Sequence, residues 1–223
     1  MPAKNRIKTY VPEAYYHVYN RGVEKRGIFL DYPVFVRKFI CGQINLKEIY
    51  FEFEAQIKKF LETGLKPTHI DSHKHVHLVP KIFGILLELG QKYGITRMRL
   101  SRESFINCIT LPISPRAMGV MGLSIVANLH LRRIKINRIA IADYCYGLTE
   151  SGSLNERRLI KILSCLRAGT NELICHPGVT TDYLVKRYRW NYKWSMELDA
   201  LTNERIRFLV DNLNIQLIRY DEI

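Results

Sequence analysis

From residue 46 onward the sequence predicts an α/β fold, a parallel sheet with crossover helices. Three observations carry this. Helical-period stretches alternate with short strand-like runs at short spacing, which is the pattern of strands joined by crossover helices. Proline and glycine stand where one kind of segment gives way to the next. The two most polar strand ends, Ile70-Asp71-Ser72-His73 and Ile174-Cys175-His176-Pro177, are placed where such folds build active sites, at the carboxyl edge of the sheet.

The elements follow in order. Tyr15 to Asn20 reads as a short strand closed by Arg21-Gly22, and Asp31 as the cap of a helix reaching about Ile40. A second helix is expected from about Leu46 to Glu62, with Ile49, Phe53, Ile57, Phe60 and Leu61 on one face. Gly64 ends it and Pro67 blocks its continuation. A strand at Thr68 to Ser72 leads into a polar, histidine-rich turn. Pro80 opens a helix closed after Tyr93 by Gly94, followed by a strand at Ile95 to Leu100. Residues 115–133 read as one long helix and Ile139 to Ala142 as a strand. Asn155 caps a helix reaching Arg167, ended by Gly169, and Glu172 to Cys175 form a strand. Thr202 is expected to cap the last helix and Ile215 to Arg219 to form the last strand. No internal repeat or low-complexity linker interrupts the series.

Composition narrows the function classes. The 223 residues are 47% hydrophobic and 25% charged, as in an ordinary soluble domain, long enough for a core of its own. The apolar stretch from Ala117 to Leu131 contains Asn128 and His130 and falls short of the about 20 residues of a membrane span. The first residues, Met1 to Arg6, lack the apolar run of a signal peptide. Five scattered cysteines (Cys41, Cys108, Cys145, Cys165 and Cys175) form no CxxC pair, which fits a reducing cytoplasm and argues against a zinc ribbon. The net charge of +13 would suit a polyanion such as nucleic acid, but the basic residues are spread along the chain rather than gathered in a block.

The strongest chemical signal is the cluster His69, Asp71, His73, His75 and His77. In an extended segment alternate residues share a face, so His69, Asp71, His73 and His75 are expected to point one way. Imidazole with carboxylate suits zinc, manganese or iron, while magnesium wants more oxygen ligands. One or two of the group would be ligands and the others partners that fix a ring tautomer. A solvated polar turn is the plainer reading of a single histidine. Four with an aspartate, between a strand and a proline-initiated helix, favour a metal site that would polarise a carbonyl and acidify a bound water. The second candidate is Cys175-His176-Pro177-Gly178, where a rigid turn holds a histidine at a rim to protonate a leaving amine.

Thr68-His69-Ile70-Asp71-Ser72-His73-Lys74-His75-Val76-His77 is similar to the signature of the YdjC-like carbohydrate deacetylases, the ChbG/HpnK family. The resemblance runs over about residues 47–223. It takes in Ala55-Gln56-Ile57 to Phe60, Gly64, Lys66-Pro67, Arg97, Arg99, Gly147, Ser151-Gly152, Glu172 to Gly178, and the ending from Glu197-Leu198 to Tyr220. It implies a distorted or incomplete (β/α) barrel of the glycoside hydrolase/deacetylase type, acting on an N-acetylated oligosaccharide or sugar-lipid. It implies a divalent metal, Mg or Zn, held by one Asp and two His. His73 matches a metal ligand and His176 the active-site histidine that serves as general acid. Asp71 is expected to orient a histidine and Arg99 to face the substrate. The family's opening Asp-Asp pair and its later Gly-x-His segment are not matched, which implies a truncated catalytic domain with one of three ligands, and with that a loss of activity. Residues 1–46 form a separate segment. Within it Tyr15-Tyr16-His17-Val18-Tyr19-Asn20-Arg21-Gly22, Ile28-Phe29 and Asp31-Tyr32 resemble the start of single-tyrosine HUH transposases, for which His75-Val76-His77 would be the metal-binding pair. That alternative is a DNA-binding protein. An open sheet edge left by absent first strands predicts pairing with a partner, which could be a second copy in a homo-oligomer, or poor solubility.

Overall fold

The computed structural model describes residues 32–103, 115–188 and 190–223. The expected strand Tyr15 to Asn20, the Asp31 cap and the transposase-like positions before Tyr32 lie outside them. The chain divides into two compact units, Met1–Lys66 and Pro67–Ile223.

The first unit contributes α1 (Tyr32–Ile40) and α2 (Leu46–Leu61). Asn45 starts α2, its side-chain oxygen accepting from the Lys47 N–H at 3.0 Å. Ile49 is fully buried, whereas Phe53, Ile57, Phe60 and Leu61 are half-buried.

The second unit is a parallel arrangement of four short segments with helices between them. Ile70 bridges Met98, Arg97 bridges Ala140, and Glu103 bridges Cys145, all in parallel. The ladder is completed by β1 (Tyr144–Tyr146) against β2 (Asn171–Leu173), with Cys145 opposite Glu172. The expected parallel pairing is therefore present, although most of its strands are reduced to single bridges and the described residues are mostly helical. All carboxyl ends of these segments face one way, because a parallel ladder aligns strand directions.

Helix α3 (Pro80–Tyr93) runs between its predicted punctuation marks, with Pro80 at its first turn and Gly94 left-handed at φ +68°. It buries Ile82, Phe83, Leu86, Leu87 and Leu89. The single helix expected over 115–133 is two, α4 (Pro115–Leu129) and α5 (Leu131–Ile136). The break falls at His130, whose buried ring stacks on Phe83 at 3.8 Å and donates through Nε2 to the Leu78 carbonyl at 2.7 Å. A tertiary hydrogen bond outweighs continuation of the helix there.

Helix α6 (Glu156–Leu163) is capped by Asn155 as expected but stops four residues before Arg167. Asn171 holds the following turn, donating to the carbonyls of Arg167 and Gly169 at 2.8 Å each. Helices α7 (Asp182–Arg187) and α8 (Trp194–Leu201) were not expected as separate elements. Thr202 closes α8 rather than opening the last helix. Asn203 caps α9 (Glu204–Asn212), accepting from the Arg205 N–H. Leu154, Leu159, Ala200 and Ile206 form the core between α6, α8 and α9. Residues 215–219 are not a strand. Leu217 is 82% exposed, and a strand without a neighbouring ladder leaves its backbone to water.

Candidate active site

The carboxyl ends of the parallel segments carry Asp71, Arg99, Gly147 and His176. After Ile70 the chain turns through a 3-10 segment, His73–Leu78, in which Lys74 (φ +55°) and His75 (φ +56°) are both left-handed. Non-glycine residues in that region cost of order 1 kcal/mol or more and persist only where surroundings hold them. This turn replaces the extended segment expected from the sequence, so the histidines do not share a face. His69 stacks on Tyr220 at 3.8 Å, and His73 is exposed with its ring 5.8 Å from Trp190. His75 pairs through Nδ1 with Ser101 Oγ at 2.7 Å, and His77 is fully enclosed.

The partners of His77 fix its tautomer. Its Nε2 lies 3.0 Å from the Arg99 carbonyl, which can only accept, so Nε2 carries the proton. Nδ1 then accepts from the Ser72 hydroxyl at 2.7 Å, while the same hydroxyl oxygen accepts from the His77 backbone N–H at 2.8 Å. Burial pushes His77 down to about 4, against the pull of Asp71. Burial, with His77 nearby, also takes His75 down to about 4. Both rings are neutral at pH 7 and hold the turn closed.

Asp71 accepts from the Ser72 N–H at 2.7 Å with Oδ1 and from the Arg99 guanidinium with Oδ2. Arg99 also donates through Nε to Glu172, whose second oxygen accepts from the Tyr220 hydroxyl at 2.9 Å. Burial works against the charge of Arg99, but Asp71 and Glu172 outweigh it and hold the guanidinium above its ordinary value. The arginine expected to face substrate thus spans two strand ends through their carboxylates, with 22% of its side chain exposed.

His176 follows β2. Its Nδ1 is 3.1 Å from Ser151 Oγ, and its ring sits edge-on to Tyr192 at 5.0 Å. Its backbone N–H donates to Oε2 of Glu197 on α8, and Glu197 Oε1 accepts from the Leu154 N–H at 3.2 Å. Glu197 is fully buried, so this carboxylate fixes where the histidine leaves the sheet. Burial lowers the His176 pKa, with Lys74, Arg99 and Arg116 adding to the effect and Glu197 opposing it. The turn carrying Ser151 is held by buried Glu103, which accepts from the backbone N–H of Gly147 and of Thr149 at 2.9 Å each. Gly147 is left-handed at φ +89°, and a Cβ there would lie 2.3 Å from the Ile174 carbonyl oxygen.

His73 and His176 are linked through a run of rings, with Trp190 beside His73, Tyr192 beside His176, and 5.6 Å between the two aromatic centroids. Sequence reading missed Glu197, Glu103, Ser101 and these aromatics as site components. Only the alternation of aromatic residues at 188, 190, 192 and 194 signalled any of them.

A family model described as YdjC-like protein matches residues 16–212. The chain belongs to the YdjC-like family. The matched span begins at residue 16, within residues 1–46, and runs to residue 212. The chain is 27% identical over 202 residues to a carbohydrate deacetylase of Clostridium beijerinckii, covering 90% of this chain and 69% of that protein. It is 28% identical to a chitooligosaccharide deacetylase of Escherichia fergusonii, over 82% of this chain and 64% of the relative. A carbohydrate deacetylase of Thermoanaerobacter pseudethanolicus is also 28% identical, over 90% and 68%. The chain thus spans about two thirds of the length of these relatives. A crystal structure from Enterococcus faecalis superposes with a TM-score of 0.60 at 22% identity, covering 86% of this chain and 64% of that one, and shares the fold.

The family resemblance implies a divalent metal held by one Asp and two His. Among the described residues no three His, Cys, Asp or Glu side chains are grouped to hold an ion. Asp71 is engaged by Arg99 and His77 is closed between Ser72 and a backbone carbonyl, which leaves His73 as the matched ligand position. The described residues do not fit a three-ligand metal. No helix among them is long and apolar enough to cross a membrane.

Proposed function

We propose that this chain hydrolyses the acetamido group of an N-acetylated sugar, on an incomplete or distorted (β/α) barrel of the glycoside hydrolase/deacetylase type. The observation that carries this is the setting of His176, a ring at the end of a parallel strand with a buried carboxylate beneath it. Membership of the YdjC-like family and the deacetylase names of its relatives support this chemistry.

With Nδ1 engaged by Ser151, Nε2 is the nitrogen for proton transfer. The lowered pKa leaves the ring neutral near pH 7, so it acts first as a base. Water attacks the acetyl carbon and gives a proton to Nε2. The C–N bond then breaks and the same proton passes to the departing amine, leaving acetate and a free amino sugar. Asp71 and Arg99 act as positioning residues that tie the histidine turn to the sheet. No step is assigned to a divalent metal, because His73 is the one matched ligand position among the described residues. The comparisons favour neither loss of activity nor the transposase alternative.

The test is acetate release from N-acetylated chitobiose, with and without added Mg or Zn, for wild type and His176→Ala. Positioned general acid-base catalysis contributes roughly 10²–10⁴-fold, and the variant is expected to lose that much. Equal rates in the two proteins, or no acetate from wild type under either condition, overturns the proposal.

A further inference from the structure

Tyr188, Trp190, Tyr192 and Trp194 occupy alternate positions, and their rings form a ladder with successive centroid separations of 4.5, 5.6 and 6.2 Å. One end is core: Trp194 is buried at 9% exposure. The ladder then climbs outward, and Trp190 is 38% exposed. A tryptophan this exposed leaves a large apolar ring face available to a ligand. The structure braces it at the surface. Lys74 Nζ lies 5.4 Å from the Trp190 centroid and Arg116 lies 5.9 Å from that of Tyr192. Gly152, left-handed at φ +79°, leaves the space in which the Tyr192 ring lies against the backbone, since a Cβ there would be 2.3 Å from Tyr192 Cδ1. The Lys193 N–H donates to the Gly152 carbonyl at 2.8 Å and pins the same crossing.

The ladder meets the site at two points, Trp190 against His73 and Tyr192 against His176. A molecule seated on Trp190 therefore reaches His176 across one neighbouring ring. The face of a pyranose presents C–H groups, which carry partial positive charge and are apolar, and the face of an aromatic ring carries the complementary negative charge. Around the ladder Lys74, Asn191 and Lys193 offer donors for hydroxyl and carbonyl oxygens. Nucleic-acid bases also stack on aromatics, but they favour rings presented to successive parallel bases. Here neighbouring rings are inclined at 38° to 57° to one another.

We infer that the Tyr188-Trp190-Tyr192 ladder is the platform on which a sugar ring stacks beside the one that is deacetylated, with Trp190 setting the affinity for that ring. This rests on the hydrolase reading for the identity of the second ring, while platform binding is measurable without turnover. Stacking of this kind is worth roughly tenfold in affinity.

The experiment is calorimetric titration of the full chain with triacetylchitotriose, with N-acetylglucosamine and with oligo-dT, for wild type, Trp190→Ala and Trp190→Phe. Circular dichroism checks that each variant is folded. The expected result is trisaccharide binding that is roughly tenfold weaker in Trp190→Ala and largely kept in Trp190→Phe, with little change for the monosaccharide. Where acetate is released, Trp190→Ala raises KM for the trisaccharide and leaves kcat unchanged. Equal trisaccharide affinity in wild type and Trp190→Ala overturns the platform. So does Trp190-dependent binding of oligo-dT in place of the sugar. A KM for the trisaccharide that is unaffected by Trp190→Ala sinks the platform but leaves the hydrolase reading standing. Trp190-dependent trisaccharide binding without any acetate release supports the platform and sinks the hydrolase reading.

Discussion

Acidification should unfasten the histidine turn before it unfolds the rest of the second unit. His75 and His77 are neutral in the folded protein and pushed down to about 4, against an ordinary value of 6.5. Between those values the unfolded chain binds protons that the folded chain refuses, so stability rises with pH there. The contribution is complete above 6.5, falls as the pH drops below it, and is gone by about 4. Each full gap is worth about 3 kcal/mol, and linkage puts about 2 kcal/mol of it as already lost at pH 5 for each ring. The assay is urea unfolding followed by circular dichroism at pH 7.5 and pH 5, for wild type and His77→Gln. Wild type should lose at least about 4 kcal/mol from the two rings together. His77→Gln should be less stable at pH 7.5, having lost the Ser72 and Arg99 partners, and its loss between pH 7.5 and pH 5 should be smaller by about 2 kcal/mol. A variant with the same pH dependence as wild type would refute the neutral, enclosed state of His77.

Two further outcomes follow from the carboxylates around the site. Arg99→Ala leaves the Asp71 and Glu172 carboxylates without their shared cation and should cost about 3–5 kcal/mol in urea unfolding. Adding Asp71→Asn and Glu172→Gln should recover most of that loss, and no recovery would mean that packing rather than charge is at stake. Glu197→Ala strands the backbone N–H groups of Leu154 and His176, at about 1–3 kcal/mol each. It should also lower acetate release by more than the stability loss explains, and activity equal to wild type in the folded variant would remove Glu197 from the positioning of His176.

Much of the fold is legible locally. Pro80 and Gly94 bound α3 because one lacks an N–H that the first turn does not need and the other accepts a left-handed φ. Asn155 caps α6 through a side-chain oxygen three residues from its target, and the alternation of segments predicts the parallel ladder. These are matters of backbone chemistry and period, which a short window of sequence contains. The family was also legible, because its signature lies in contiguous residues from Thr68 to His77 and Glu172 to Gly178.

What the sequence does not contain is which side chain meets which. A histidine at 77 is indistinguishable from one at 73 until Ser72 and the Arg99 carbonyl enclose the first and leave the second exposed beside Trp190. The helix over 115–133 is continuous by propensity, and it breaks because His130 is drawn to a carbonyl at Leu78. Residues 215–219 have the composition of a strand but no ladder to join. Nothing in the order of residues marks Glu197 as a partner of His176, yet the fold brings it beneath that residue and buries it. Chain order carries the caps of α3 and α6, the parallel alternation of the second unit and the family signature. The tertiary structure alone decided which groups are enclosed, paired or presented, because hydrogen bonding and desolvation depend on neighbours that chain order does not bring together.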